Sequence, residues 1–319
     1  MPFLPARPAI LLCLLSFASA MAQAQANMPG AKKVLFFTKS AAFEHSVIKE
    51  TGGQPSFAGR VLNELGAKQG ITFTHSKDGS KFTPAYLAQF DAFLFYTTGD
   101  LLVTGTDGNP AMTPAGKEAL LAAIEGGKGF IGVHSASDTF HGDETSAPGP
   151  KAKRASRFQS LGPLTDPYTR MLGGEFVLHG AQQSGRMRVA DPAFPGLANL
   201  GQSFDLVEEW YSLTEFATDL HVLLVQDTAH MGDPDTKDGN SGYLRPSYPS
   251  TWARRHGQGR VFYTAMGHRE DVWTNPTFQQ VLLGGIHWAL GNVKADVSPN
   301  MDKASPRAGE LPAPFNRPK

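Results

Sequence analysis

Cysteine is almost absent from this sequence of 319 residues. Its only cysteine, Cys13, lies in an apolar segment at the N-terminus. Everything after that segment therefore has no disulfide, no thiolate nucleophile and no cysteine-ligated metal site. A chain of this length buries enough apolar surface to fold without disulfides.

An excess of charge and closely spaced histidines are lacking as well. The 29 Lys and Arg residues balance the 29 Asp and Glu residues, so no electrostatic attraction to nucleic acid or to an anionic membrane is expected. The ten histidines contain no His-x-His or His-x-x-x-His spacing. A zinc site would therefore have to combine histidines that are far apart in the sequence.

The N-terminal segment is typical of a secretory signal. Arg7 precedes an apolar stretch at 9–17, and Ala18-Ser19-Ala20 and Ala24-Gln25-Ala26 are small-x-small cleavage sites. The apolar stretch is shorter than the roughly 20 residues that span a bilayer. Residues 1–26 are therefore predicted to be a signal peptide. The protein is expected to be periplasmic or secreted, with no membrane attachment after cleavage.

Short apolar runs predict an α/β fold. Each run is continuous, as in strands that are buried on both faces of a parallel sheet. Helical patterns at 57–69 and 113–125 separate the first runs, which predicts right-handed crossovers and a doubly wound, mostly parallel sheet. Shorter strand candidates at 176–178, 187–189 and 205–207 predict a small antiparallel extension. The continuous runs lie at 34–37, 92–96, 130–133, 221–225 and 261–263.

Glycine- and proline-rich segments mark the loops and the end of the domain. Residues 141–170 and 228–249 are predicted to be long loops. A single domain is expected over residues 27–294. The proline-rich, polar tail at 295–319 is predicted to be disordered.

Histidines follow several of the predicted strands. His134 and His179 come directly after apolar runs, His268 follows the last run, and His45 lies in the loop after the first. Ligands of open α/β sheets bind at the carboxyl ends of strands, and imidazole there performs acid–base chemistry or binds metal. We therefore predict that these four histidines converge, although a single histidine at a strand end is often structural.

The surroundings of His134 resemble a nucleophile elbow. Gly132 and Ala136 give the small-x-residue-x-small spacing of a sharp strand-to-helix turn. Because the elbow position holds histidine rather than serine or cysteine, a Ser-His-Asp hydrolase is not expected. Asp138 follows closely as a carboxylate that orients a histidine.

Acidic and aromatic residues supply candidate substrate contacts. Glu208 and Glu209 stand beside Trp210 and Tyr211. Alternation along a strand would send the two carboxylates to opposite faces, so that only one enters a pocket. Sugar-binding rings are expected from Trp210, Tyr211, Trp252 and Trp273.

The ordered set of these pieces resembles the ThuA-like trehalose-utilisation family. The matching motifs are Phe43-x-His45-Ser46, Gly132-Val133-His134, Leu172-Gly173-Gly174-x-Phe176-x-x-His179, Glu209-x-Tyr211 and Gly267-His268. The resemblance implies a flavodoxin-like, class I glutamine-amidotransferase-like fold. It also implies a role in the use of trehalose and related disaccharides, often beside dehydrogenases that make 3-keto glycosides. The amidotransferase cysteine is absent, which excludes glutamine hydrolysis by a thiol.

The sequence and the resemblance together predict a periplasmic enzyme that acts on a 3-keto glycoside or a related small sugar. General acid–base chemistry would achieve elimination, hydrolysis or isomerisation. The expected base is His134, with His45 or His268 as acid or oxyanion partner, His179 as a further catalytic group, and Asp138 and Glu209 as orienting carboxylates. No cofactor is expected. Two alternatives stay open, namely a non-catalytic carbohydrate-binding module and a metal-dependent hydrolase with zinc held by His45, His134, His179 and His268.

Overall fold

The computed structural model of the protein describes residues 31–143, 146, 157–232 and 242–310. The predicted signal peptide, parts of the first and second predicted loops and the last nine residues lie outside these ranges. No helix in the described part of the chain has the length and apolar character that a membrane span requires.

The described residues form eleven strands and seven α-helices. The strands are β1 (Lys32–Phe37), β2 (Ile71–Ser76), β3 (Ala92–Phe95), β4 (Gly129–Val133), β5 (Glu175–His179), β6 (Gln183–Val189), β7 (Ser203–Glu208), β8 (Tyr211–Thr214), β9 (His221–Asp227), β10 (Tyr248–His256) and β11 (Gly259–Thr264). The helices are α1 (Phe57–Gln69), α2 (Pro84–Leu87), α3 (Pro114–Glu125), α4 (Pro167–Leu172), α5 (Glu270–Trp273), α6 (Pro276–Ala289) and α7 (Met301–Ala304).

Nine of the strands form one mixed sheet in the order β2-β1-β3-β4-β11-β10-β9-β6-β7. The first five are parallel to one another and the remaining four continue antiparallel. The predicted α/β class is therefore confirmed, and the antiparallel extension is larger than expected. β5 and β8 pair separately as a two-stranded sheet.

Helices cover both faces of the sheet. Alternate residues of β1 contact different cores, because successive side chains of a strand point to opposite faces. Val34 and Phe36 lie in the core beneath α1 and α6, whereas Leu35 and Phe37 lie in the core beneath α3 and α4. Burial on both faces also explains why the sequence analysis wrongly grouped the apolar run 221–225 with the parallel strands. This run forms β9, which is buried on both faces although it pairs antiparallel with β10.

Local sequence signals define the ends of the helices. The Ser56 hydroxyl accepts a hydrogen bond from the backbone amide of Gly59 at the start of α1. Thr113 does the same for Gly116, and Pro114 opens α3. The sequence analysis predicted both helices from their apolar stripes, and Thr113 with Pro114 also marked the start of the second.

The first part of the tail is ordered, contrary to the prediction of disorder from residue 295. Residues 295–310 include α7 and contact the sheet. The Asn300 side chain accepts a hydrogen bond from the backbone amide of Val222 at 2.7 Å and donates one to its carbonyl oxygen at 3.1 Å. The Asn300 side chain thus pairs with the backbone of β9 as a neighbouring strand would. A polar composition alone does not predict such a contact. Residues 311–319 lie outside the described ranges.

The carboxyl ends of the parallel strands lie along one edge of the sheet. β1 leads into the loop that carries His45, β4 ends at His134, and β11 leads to His268. The connection between β7 and β8 carries Glu209 to the same place. Four segments that are distant in sequence therefore meet at this edge.

Candidate metal centre

His134 occupies a sharp turn at the end of β4. Its φ of +47° lies in the left-handed region, where residues other than glycine are uncommon. The ring is fully buried, and its Nδ1 lies 2.8 Å from the carbonyl oxygen of Ala265. Because a carbonyl oxygen only accepts, Nδ1 carries the hydrogen and the lone pair resides on Nε2.

Three further side chains surround this Nε2. It lies 3.3 Å from Nδ1 of His268 and 3.6 Å from Oε2 of Glu209. Nδ1 of His268 is 3.0 Å from the same carboxylate oxygen. The His45 ring lies 5.1 Å, centroid to centroid, from the rings of both His134 and His268. One nitrogen or oxygen atom from each of the four residues falls within 4.8 Å of all the others.

These separations suit a tetrahedral ion. Zinc binds imidazole nitrogen at about 2.0–2.1 Å, which places neighbouring ligand atoms of a tetrahedron about 3.3–3.4 Å apart. The three atom pairs that join His134, His268 and Glu209 are separated by 3.0–3.6 Å. Only small side-chain adjustments would be needed to close the set around one cation.

Two of the histidines are held neutral. Burial, followed by the neighbouring His134 and His268, lowers the pKa of His45 to about 2. Burial also lowers the pKa of His134, although the negative charge of the neighbouring Glu209 opposes the shift. Neutral imidazoles have the free lone pair that a metal requires.

The charge of the cluster lies on Glu209 and His268. Burial alone would raise the pKa of Glu209, but its contacts with His134 and His268 outweigh burial and lower the pKa. Burial alone would lower the pKa of His268, yet its hydrogen bond to Glu209 raises it. These shifts favour the ionised carboxylate of Glu209 and the protonated form of His268.

His45 supplies the test of whether a cation fits this cluster. Its Nδ1 is buried and has no hydrogen-bond partner among the described residues. Nearly all buried polar atoms in proteins do have one. An unsatisfied imidazole nitrogen beside two histidines and a carboxylate fits a metal ligand set.

Glu208 supports the cluster from behind. Its carboxylate is fully buried and accepts hydrogen bonds from the backbone amides of Gly267, His268 and Glu209 at 2.7, 3.1 and 2.8 Å. Burial raises the pKa of Glu208 to about 7, against these hydrogen bonds. Only Glu209 contributes a ligand atom to the cluster, which agrees with the expectation that one of the two carboxylates enters the site. β7 ends at Glu208, so strand alternation does not extend to Glu209.

His179 lies at the rim of the cluster. Its side chain is 44% exposed, and its Nδ1 is 3.3 Å from Oε1 of Glu209 and 3.0 Å from the carbonyl oxygen of Gly180. Both neighbours of Nδ1 are acceptors, so this nitrogen carries the hydrogen and Nε2 keeps its lone pair. The structure thus brings all four predicted histidines and Glu209 together.

Asp138 belongs to a different cluster. Its carboxylate lies 2.7 Å from Nε2 of His141, whose Nδ1 contacts Glu175. His141 and Glu175 are buried. Asp138 therefore orients His141 and contacts none of the four predicted histidines in the described structure, contrary to the role predicted for it.

The predicted sugar-stacking rings are all buried. Trp210, Trp252 and Trp273 are fully buried, and their indole N–H groups donate to the backbone carbonyls of Gln183, Leu172 and Gly267, respectively. Tyr211 is 2% exposed and its ring centroid lies 4.0 Å from that of His134. Tyr211 thus forms a wall of the site, whereas the three tryptophans lie in the hydrophobic cores, and none of these rings presents a face to a ligand in solution.

Some functional groups could not be inferred from the sequence. The Ala265 carbonyl that fixes the tautomer of His134 is a backbone atom, and no sequence motif marks it. Tyr96 lies with its ring 5.2 Å from that of His45 and donates to the carbonyl of Gly267. The only sequence signal for Tyr96 was its position at the end of a predicted strand.

A comparison with protein families identifies the chain. The family described as ThuA, trehalose utilisation, matches residues 33–147 and 154–289. The chain belongs to the ThuA family. The predicted resemblance is therefore confirmed, and membership indicates a role in trehalose or sugar utilisation.

Solved ThuA-like structures have a similar fold. A ThuA-like protein from Bacteroides uniformis is 20% identical, with a TM-score of 0.58 over 82% of this chain and 94% of the other. A ThuA-like protein from Parabacteroides merdae is 16% identical, with a TM-score of 0.49 over 87% of this chain and 98% of the other. At these identities the likeness concerns the fold alone. A comparison with curated proteins found no match.

Proposed function

We propose that this ThuA-family protein is an exported, metal-dependent enzyme that acts on an oxidised glycoside, such as a 3-keto disaccharide. One divalent cation is held by His45, His134, His268 and Glu209. The observation that carries the proposal is the convergence of one ligand atom from each of these residues within 4.8 Å.

The donor set favours zinc. Three imidazole nitrogens and one carboxylate oxygen suit this borderline-soft ion, whereas magnesium and calcium prefer oxygen ligands alone. The contact of His134 Nδ1 with the Ala265 carbonyl is the kind of second hydrogen bond that orients metal-binding histidines. These features support the metal-dependent alternative over acid–base chemistry without a metal.

In the proposed chemistry the cation and the protein side chains have different roles. A bound cation supplies polarisation of a carbonyl oxygen and a lowered pKa for a bound water. His179 then serves as the proton-transfer group, since its side chain is half exposed and Nε2 keeps a lone pair. His134 is fully buried, which suits a ligand better than the base predicted from the sequence.

The substrate class and the compartment are proposed from the family and from the N-terminal sequence. Family membership indicates sugar utilisation. A keto group acidifies the hydrogen on its neighbouring carbon, which gives a base at this site a reaction to perform. Export rests on the signal-like pattern of residues 1–26.

Metal analysis and turnover on one preparation test the proposal. Purified protein is expected to contain about one zinc per chain, the stoichiometry of a single four-ligand site. It is also expected to convert 3-keto-trehalose, followed by NMR, and to lose this activity with a chelator. His230→Ala provides the control, because His230 is exposed and pairs with Asp227. Sugar binding without conversion would contradict the enzyme and favour a carbohydrate-binding module, and activity insensitive to chelation would contradict the metal.

A further inference from the structure

One aromatic side chain beside the metal centre is exposed. Phe43 is 65% exposed and is the only aromatic residue among the large exposed hydrophobic side chains of the described chain. Its ring stands edge-to-face to that of His45, with 5.0 Å between centroids. An exposed ring therefore adjoins a ring of the proposed ligand set.

The loop that carries Phe43 is fixed by hydrogen bonds to neighbouring segments. The Thr98 hydroxyl donates to the Phe43 carbonyl at 2.8 Å, and the Ala41 amide donates to the Thr98 carbonyl at 2.8 Å. The Thr106 hydroxyl donates to the Ala42 carbonyl at 2.5 Å. A single exposed hydrophobic residue is ordinary on a protein surface, but a ring that is held in place beside a candidate catalytic site is pre-organised for a ligand.

We infer that Phe43 is the platform on which the sugar ring of the substrate stacks, which rests on the proposed function in sugar chemistry. One face of a pyranose presents C–H groups, and the negative face of an aromatic ring attracts such weakly positive hydrogens. The aromatic residues predicted for this role are buried, whereas Phe43 offers its ring to solvent. A sugar on this ring would lie next to His45 and within reach of a cation held there.

Calorimetric titration of zinc-loaded protein with trehalose, which lacks the reactive keto group, tests the inference. Phe43→Ala should weaken binding by about tenfold, the effect of losing one stacked ring. Phe43→Trp should bind as tightly as the original protein. Phe43→Leu keeps an apolar side chain without a π face and should resemble the alanine variant. Val207→Ala is the matched control, since Val207 is exposed on the edge strand β7 and points to the face opposite Glu208.

Zinc content and melting temperature of every variant separate failure of this inference from failure of the metal site. Equal affinities of the original protein and Phe43→Ala would overturn the inference, and so would the absence of sugar binding by a zinc-containing original protein. Both results leave the metal site standing. A protein that holds no zinc but binds sugar through Phe43 would retain this inference and overturn the metal-dependent function.

Discussion

The structure has two clusters of histidine and carboxylate side chains, and each contains a histidine from the segment that follows β4. The two clusters differ in what their histidines contact. In the first, His45, His134 and His268 face one another around Glu209. In the second, His141 lies between Asp138 and Glu175. The first leaves a ring nitrogen without a partner among the described residues, whereas both nitrogens of His141 have one.

The protonation of the two clusters differs in the same sense. Burial alone would lower the pKa of His141, but its hydrogen bonds to Asp138 and Glu175 outweigh it and raise the pKa to about 9. His45 and His134 have lowered pKa values instead. Histidine between two carboxylates is thus an internal ion pair, whereas histidines that share one carboxylate leave room for an added cation.

Arg157 adds a detail to the second cluster. Its Nη1 lies 2.6 Å from Nε2 of His141, which is also 2.7 Å from Asp138. A guanidinium only donates, so the two contacts compete for this nitrogen. The two carboxylates favour the imidazolium form, in which Nε2 donates to Asp138, and the positive charge of Arg157 opposes this protonation.

The largest expected effect separates the clusters by metal content. His134→Ala should lose the bound zinc and lower turnover by at least about 10²-fold, because a catalytic metal contributes several kcal/mol. His141→Ala should keep the zinc. Elemental analysis and NMR turnover of both variants measure this contrast. Equal zinc content in the two variants would remove the distinction between the clusters.

A second contrast concerns stability. Glu175→Gln leaves the buried His141 with an incomplete set of partners, and breaking a buried ion pair costs about 3–5 kcal/mol. Glu310→Gln breaks the exposed pair with Arg307, which should leave stability nearly unchanged because solvent screens such a pair. Urea unfolding at pH 7 gives both values. A small loss for Glu175→Gln would show that the second cluster is not a structural ion pair.

Glu208 tests how much the backbone around the ligands matters. Glu208→Gln keeps the shape but weakens the acceptor for the amides of Gly267 and His268. Loss of such a supporting contact typically weakens metal binding by about 10–100-fold. A zinc-competition titration measures the change. Asp205→Asn on the same strand, which pairs with Arg186 at the surface, should leave zinc affinity unchanged, and an equal loss there would contradict the supporting role of Glu208.

The smallest effect is a pH dependence specific to His141. Its native pKa of about 9 exceeds the unfolded value of roughly 6.5, so the folded state binds this proton more tightly. The stabilisation is complete below about pH 6.5 and is lost as the pH rises through about 9. The free energy of unfolding should therefore decrease between pH 7 and pH 10, with a smaller decrease in Glu175→Gln. Equal slopes would show that His141 does not titrate in this range.

The sequence predicted where the site lies better than it predicted how the side chains of the site are arranged. Continuous apolar runs that end in polar residues indicate where strands end, so the convergence of His45, His134 and His268 followed from the expected parallel sheet. His179 follows β5 of the separate two-stranded sheet, and only its position after an apolar run suggested that it belongs with them. The position of His134 at a strand end suggested an imidazole that projects into a cleft. The structure covers it with Tyr211, a contact that depends on the separate pairing of β5 with β8.

The main error of the sequence analysis was to expect sugar-stacking rings at aromatic residues that are buried in the structure. Tryptophan and tyrosine combine apolar rings with a polar group, so sequence alone does not distinguish a sugar platform from a core residue. Trp252 faces the core of the sheet and donates to the Leu172 carbonyl. Asp138 was assigned to the wrong histidine for a similar reason. Its partner His141 lies three residues away, and the sequence alone does not show which histidine a carboxylate contacts.

Anomalous diffraction at the zinc absorption edge, from crystals of the purified protein soaked in zinc, tests the central claim most directly. The account predicts one strong peak about 2.0–2.2 Å from a nitrogen of His45, His134 and His268 and from an oxygen of Glu209, and none at His141. The absence of a peak between these four residues at saturating zinc, or a peak at His141 instead, would contradict it.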